Sequence, residues 1–254
     1  MNSTMTRRRL IGTGAGAGVA VTAAPLTTLL SGCGNNGNHG SGDSTYATEP
    51  HGGPPTTGAD ALHELIAGNE RFVQGRLLHP RQSGQRRAEL AEKQEPFAVV
   101  LGCADSRVPP EVLFDQGLGD LFAVRVAGNT AAEPVVLGSI EYAAEHLGSV
   151  LVMVLGHESC GAVKAAIAAV TEGADEPGSI GDVVAPIMPV VKGVSDEAPD
   201  LSAEDLLSRS IRANIERNVE ELERVPLLSH LIEDGKLKIV GAEYEFHSGR
   251  VALV

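Results

Sequence analysis

Phe97-Ala-Val-Val-Leu-Gly102-Cys103-Ala-Asp105-Ser-Arg107 and Val150-Leu-Val-Met-Val-Leu155-Gly-His157-Glu-Ser-Cys160-Gly161 are the two stretches that decide the fold. Each opens with a short unbroken apolar run and then breaks at a glycine. A run this short, bounded by turn residues, reads as a strand buried on both faces. Residues 121–127 and 237–241 are further short apolar runs of strand type, each interrupted by one basic residue. Helical patterns lie between them, at 135–147, at 162–170 and in an acidic stretch at 203–224. The last carries Leu206, Leu207, Ile211, Ile215 and Val219 at helical spacing. Upstream, 61–74 is amphipathic through Leu62, Leu65, Ile66, Phe72 and Val73, and 83–93 starts on a capping Ser83. Residues 172–199, rich in Gly with four prolines, read as a loop with a short helical piece. Strands alternating with helices predict an α/β fold, with a mostly parallel central sheet flanked by helices in a single domain.

The bulk composition agrees. The chain has 254 residues, 43% hydrophobic and 21% charged, which is globular rather than disordered. Aromatics are only 3% and Trp is absent, so Val, Leu, Ile and Ala must fill the core. Net charge is −13. Residues 1–58 hold Arg7, Arg8 and Arg9 against Asp43 and Glu49, so all of the acidic excess lies beyond them. Such a domain repels phosphate backbones, which excludes nucleic acid as an expected partner.

In an open α/β sheet, sites form at the carboxyl ends of strands. Both opening stretches place their chemistry there, on one rim. Cys103, His157 and Cys160 are soft and borderline donors of the kind that zinc selects. Three protein ligands leave a fourth position open, as a catalytic site needs. Asp105 stands two residues from Cys103, where it either ligates the metal or stands behind it. Arg107 is placed to pair with Asp105 and hold it off the metal. A plainer reading makes Asp-Ser-Arg a helix cap with a surface ion pair.

The N-terminus reads Thr6-Arg7-Arg8-Arg9-Leu10-Ile11, followed by an uncharged stretch from Leu10 to Leu30. A basic head before an apolar run is a secretory signal pattern, here similar to a twin-arginine signal. The stretch ends Leu29-Leu30-Ser31-Gly32-Cys33, which resembles a bacterial lipobox. The expected organisation is a signal peptide at 1–32, a lipidated Cys33 with a flexible linker to 58, and the catalytic domain at 59–254. Plain cleavage and an uncleaved anchor remain open, although Gly12, Gly14, Gly16 and Gly18 make a poor membrane helix. The linker, 34–58, is Gly, Asn, Ser, Thr and Pro and spans about 25–30 Å as a flexible coil. The domain is then expected at the outer face of the cytoplasmic membrane, held by lipid alone, or secreted.

Cys-Ala-Asp-Ser-Arg together with Gly-His-Glu-Ser-Cys-Gly strongly resembles the β-class carbonic anhydrases. The likeness extends through Phe122-Ala-Val-Arg125-Val-Ala-Gly-Asn129 and Ser139-Ile-Glu-Tyr142-Ala. It closes on a strand at Gly241-Ala-Glu-Tyr-Glu-Phe-His-Ser-Gly249-Arg-Val. The resemblance implies one Zn2+ per chain on Cys103, His157 and Cys160, with Asp105 and Arg107 as the catalytic pair. Asp105 is the implied fourth ligand of a closed form. It further implies Gln94 as a substrate-binding residue, Phe122 and Tyr142 in an apolar CO2 pocket built across a dimer interface, and Gly161 near the substrate. The implied assembly is a homodimer or a higher even oligomer. The implied reaction is reversible hydration of CO2 to bicarbonate and a proton, by attack of zinc-bound hydroxide. His63, His79 and His247 are candidates for carrying the proton away.

Two positions depart from the family pattern. Val100 replaces a Trp of the bicarbonate-regulated branch, which argues against allosteric closure by bicarbonate. Ala127 replaces a pocket Val of plant relatives, which implies a roomier pocket. Three other readings stay open: a CS2 or COS hydrolase of the same fold, a non-catalytic zinc-binding lipoprotein, and a thiol redox protein.

Overall fold

The computed structural model describes residues 53–254. The basic head, the Leu10–Leu30 run, the lipobox with Cys33 and most of the linker lie outside the described residues. Among the described residues, no helix is long and apolar enough to cross a membrane.

The elements run α1 (Gly58–Val73), α2 (Gly84–Glu89), β1 (Ala98–Gly102), α3 (Pro110–Leu113), β2 (Leu121–Arg125), α4 (Pro134–His146) and β3 (Leu151–His157). They continue with α5 (Gly161–Glu172), α6 (Ile180–Val184), α7 (Met188–Glu197), α8 (Ala203–Glu223), α9 (Pro226–Glu233), β4 (Lys238–Tyr244) and β5 (Val251–Leu253). One sheet forms in the order β2-β1-β3-β4-β5. Its first four strands are parallel, and β5 turns back antiparallel on β4. The mostly parallel α/β architecture expected from the sequence is therefore the one observed.

Alternate residues of each central strand serve opposite faces, as the period of two demands. Val99, Leu101, Val152 and Val154 pack on one side, with Ile140, Val163, Ile187, Ile211, Ile215 and Leu222 of the covering helices. Ala98, Val100, Leu151, Met153 and Leu155 pack on the other, with Leu65, Leu113, Phe114 and Val251. Both faces are covered, so β1 and β3 are buried throughout.

Helix starts follow capping chemistry. Thr57 and Ser202 accept backbone N–H bonds from Asp60 and Asp205, each with acidic residues in the first turn. At Gly68, α1 lies directly on the chain leaving α3. A Cβ there would fall 1.7 Å from the Phe114 carbonyl oxygen, so only glycine permits this approach.

The structure corrects some boundaries. The 172–199 segment holds two helices, α6 and α7, rather than one short piece. The helix expected at 83–93 is a six-residue turn. The strand expected at 150–155 continues to His157, and that at 237–241 continues to Tyr244. The closing strand is a hairpin, with a turn between β4 and β5.

Candidate metal centre

Register brings the two halves of the centre together. Gly102 at the end of β1 pairs with Leu155 of β3, so Cys103 and His157 leave the same rim. Cys160 follows two residues after Glu158, as the cap of α5. The donor atoms of Cys103, His157 and Cys160 lie within 4.8 Å of one another. All three residues are buried.

The imidazole is oriented for a metal. His157 Nδ1 lies 2.9 Å from the Glu158 carbonyl oxygen. A carbonyl can only accept, so Nδ1 carries the proton and Nε2 keeps its lone pair. Nε2 is buried with no hydrogen-bond partner. The Cys103 sulfur lies in the same donor cluster and favours the protonated ring. A buried acceptor left bare costs stability unless something occupies it.

The two sulfurs, held within 4.8 Å of each other, are shifted in opposite directions. A hydrogen bond from Cys160 is the main reason that Cys103 is pulled down to about 4, against the opposing effect of burial. His157 and the backbones of Gly128 and Asp105 add to it. Cys160 is pushed up, first by the same contact and then by burial. At His157, burial alone would lower the proton affinity, but the Cys103 sulfur and the Glu158 carbonyl reverse this. A thiolate, a thiol that can yield its proton and a bare imidazole nitrogen fit Zn2+ and leave a fourth position open.

The second half sits outside this cluster. Arg107 donates from Nε to Asp105 Oδ1 at 2.9 Å and from Nη2 to Oδ2 at 2.7 Å. Its backbone N–H donates to Oδ1 at 2.9 Å. This bonding from Arg107 holds the Asp105 carboxyl well below the usual carboxylate range. Asp105 thus stands with Arg107 and not among the metal donors. Nor does it cap a helix, since α3 begins later, with Pro109 as its cap.

Arg125, the last residue of β2, braces the loop that carries Asp105. Its Nε donates to the Cys103 carbonyl at 2.9 Å and its Nη2 to the Asp105 carbonyl at 2.6 Å. Gly128 sits beyond that strand at φ 78°, where a Cβ would meet Ile187 at 2.6 Å. Its carbonyl is held by Asn214 of α8 at 2.9 Å, and Ala131 N–H is held by Asn218 at 2.7 Å. The sequence signals for these braces were weak, because a buried Asn on a long polar helix looks like part of its wet face.

The expected pocket residues divide. Gly161 opens α5 beside Cys160. Gln94 is exposed and precedes the amino end of β1, at the opposite rim. Phe122 pairs with Val99, about 10 Å back from the end of β1, and packs on the core. Tyr142 lies in α4, 49% exposed, with its ring 5.3 Å from that of His146. These three do not meet the centre within the chain. Of the candidate proton carriers, His247 is near it, with Nδ1 3.4 Å from Glu158 Oε1.

Phe246 is a residue that no sequence pattern singled out. The Arg107 guanidinium carbon stands 3.9 Å from its ring centroid. The same ring lies 5.4 Å from that of His157.

A parallel α/β sheet with a buried Cys-His-Cys donor set at its strand ends, open on one side to a carboxylate–guanidinium pair, defines an open-site metalloenzyme. A sequence model of the carbonic anhydrase family matches residues 98–251. The chain is 46% identical over 205 residues to carbonic anhydrase 2 of Mycobacterium tuberculosis, covering 79% of this chain and 94% of that protein. It is 42% identical over 201 residues to the carbonic anhydrase of Mycolicibacterium smegmatis, covering 79% and 95%. The solved structure of the β-carbonic anhydrase CcaA superposes with a TM-score of 0.62 at 27% identity, over 76% of this chain and 87% of that one. The chain belongs to the carbonic anhydrase family, in its β class.

Proposed function

We propose that this protein catalyses the reversible hydration of CO2 to bicarbonate and a proton, with one Zn2+ held by Cys103, His157 and Cys160. The observation that carries the reading is the buried donor cluster with its bare Nε2, set beside an Asp105 that Arg107 has already engaged. Zinc, when bound, supplies the acidity by which water yields a nucleophile near neutral pH. Asp105, ionised by its contact with Arg107, accepts a hydrogen bond from that nucleophile and aims it. Arg107 keeps the carboxylate from swinging onto the metal as a fourth ligand. Gly161, lacking a side chain, leaves room for substrate beside Cys160.

The apolar side of the pocket is assigned to a second copy of the chain. Gln94, Phe122 and Tyr142 do not reach their own centre, and Val135 and Tyr142 leave apolar surface open on α4. A homodimer, or an even multiple of one, supplies them. Residues 1–32 are assigned as a twin-arginine-type signal peptide and Cys33 as the lipidated residue. The enzyme then sits at the outer face of the cytoplasmic membrane. Labelling with a radioactive fatty acid, lost in Cys33→Ser, tests that assignment.

Stopped-flow CO2 hydration at about pH 8.5 tests the activity, in a range where a metal-activated water is mostly ionised. Asp105→Ala, matched for zinc, is expected to lose about 10²–10⁴-fold in kcat/KM, as for a removed proton acceptor. A zinc-loaded wild type without hydration activity would overturn the reading and point to CS2 or COS as the substrate.

A further inference from the structure

Arg107 has a problem that its bonds to Asp105 do not solve. Its side chain is 55% exposed. An exposed ion pair between a long side chain and a carboxylate contributes little and wanders, because water competes for every donor. Yet the dyad needs the guanidinium fixed in one plane, since only a fork in that plane grips both oxygens of Asp105.

The missing restraint comes from the other end of the chain. Phe246 lies in the turn after β4, with the Arg107 guanidinium carbon 3.9 Å from its ring centroid. The ring's own position is set from several directions. It packs tilted against His157 at 5.4 Å and edge-on to Tyr244 at 5.6 Å. The Phe246 backbone N–H donates to Glu158 Oε1 at 2.8 Å, and the Glu158 N–H donates to the Tyr244 carbonyl at 3.0 Å. A flat ring held this firmly presents a negative face to the guanidinium and limits it to one orientation.

We propose that Phe246 is a positioning residue for CO2 hydration: its ring backs Arg107 and holds the guanidinium in the plane that grips Asp105. This assignment rests on the hydration reading above. It makes the C-terminal hairpin part of the working site, although none of its side chains is assigned to metal or substrate.

The test compares Phe246→Leu, which keeps apolar bulk but removes the ring, with Phe246→Tyr, which keeps the ring. Both are made in the zinc-loaded protein and checked for zinc content and thermal midpoint. Two quantities are read: the Arg107 Nε–H resonance with its solvent exchange rate, and kcat/KM for CO2 hydration. In Phe246→Leu the ring-induced shift of the Arg107 signal is lost, and its exchange quickens. There kcat/KM falls about two- to fivefold, the scale of an exposed cation–π contact. Phe246→Tyr retains the signal and the rate. An unmoved Arg107 signal in Phe246→Leu would overturn the proposal, whatever the rate does, because loss of packing alone explains a slower enzyme. Equal impairment of the Tyr and Leu variants would overturn it too. An inactive wild type whose Arg107 signal still depends on the ring would instead remove the hydration reading, and with it the catalytic meaning of an intact contact.

Discussion

Asn69 makes a sharp test of how the hairpin is held. It sits in α1 and is 4% exposed. Its Nδ2 donates to the Leu113 carbonyl at 3.1 Å and to the Gly249 carbonyl at 3.0 Å, while its Oδ1 accepts from Val251 N–H at 2.9 Å. One amide thus ties α1 to the end of α3 and to the β5 side of the turn that carries Phe246. Asn69→Leu keeps the branched skeleton, with added bulk, and removes all three bonds. The buried Val251 N–H then loses its acceptor, at about 1–3 kcal/mol, and two carbonyls lose a donor at a smaller cost each. The total is about 3–5 kcal/mol, a large share of the ~5–15 kcal/mol that holds a typical domain together. Urea unfolding, with a slope of about 1–3 kcal/mol per molar, should show the midpoint fall by more than 1 M. Hydrogen exchange should quicken first at Val251 and Gly249. A midpoint shift equivalent to less than about 0.5 kcal/mol, the size of an ordinary surface substitution, would refute the claim that this amide carries the hairpin.

Further outcomes follow from the same geometry. Zinc uptake by the metal-free protein at neutral pH should release at least one proton, because Cys160 is pushed up and enters as a thiol while Cys103 is already a thiolate. The sign is that apparent zinc affinity rises with pH; calorimetry in buffers of different ionisation enthalpy counts the protons, and a count of zero contradicts a Cys160 that enters as a thiol. Arg107→Lys replaces a fork by a single point of contact, so kcat/KM should drop with zinc content unchanged, and wild-type turnover would show that the planar grip is dispensable. Gly68→Ala should destabilise by at least about 1–3 kcal/mol, since the added methyl overlaps backbone rather than a movable side chain; unchanged thermal unfolding would mean that α1 shifts freely. Tyr142→Glu places a charge on the exposed face of α4. It should shift sedimentation towards monomer and lower CO2 hydration without removing zinc, and an active monomer would separate the pocket from the assembly.

How much of this was legible in the sequence depended on where the signal resides. Strands β1 and β3 announce themselves because both faces are buried, which leaves a run without polar interruption. The metal donors were legible for a related reason: strand ends on one rim bring Cys103, His157 and Cys160 together, and no long-range packing need be known. The helices α6 and α7 were hidden by Gly181, Pro186 and Pro189, which read as breakers. Pro189 in fact occupies the first turn of α7, where a missing N–H costs nothing. Helix α9 was concealed in the same way by Pro226. Phe246 and Asn69 left no trace in spacing, because each acts on partners far away in sequence. A polar residue on an amphipathic helix reads as solvent-facing until the fold delivers a hairpin to it.

The two halves of the site are built by different means, and this predicts how each fails. The metal donors are buried and fixed by strand register, so their geometry is as rigid as the core itself. The dyad lies at the surface, where the Asp105 carboxylate bonds to its near neighbour Arg107, and its order must be imported. Arg125 imports it from β2 through the Cys103 and Asp105 carbonyls. Phe246 imports it from the hairpin through Arg107. Substitutions among the donors should therefore cost zinc affinity. Substitutions at Arg125 or Phe246 should leave zinc bound and reduce turnover, because a metal held by the core does not depend on the orientation of a carboxylate outside it.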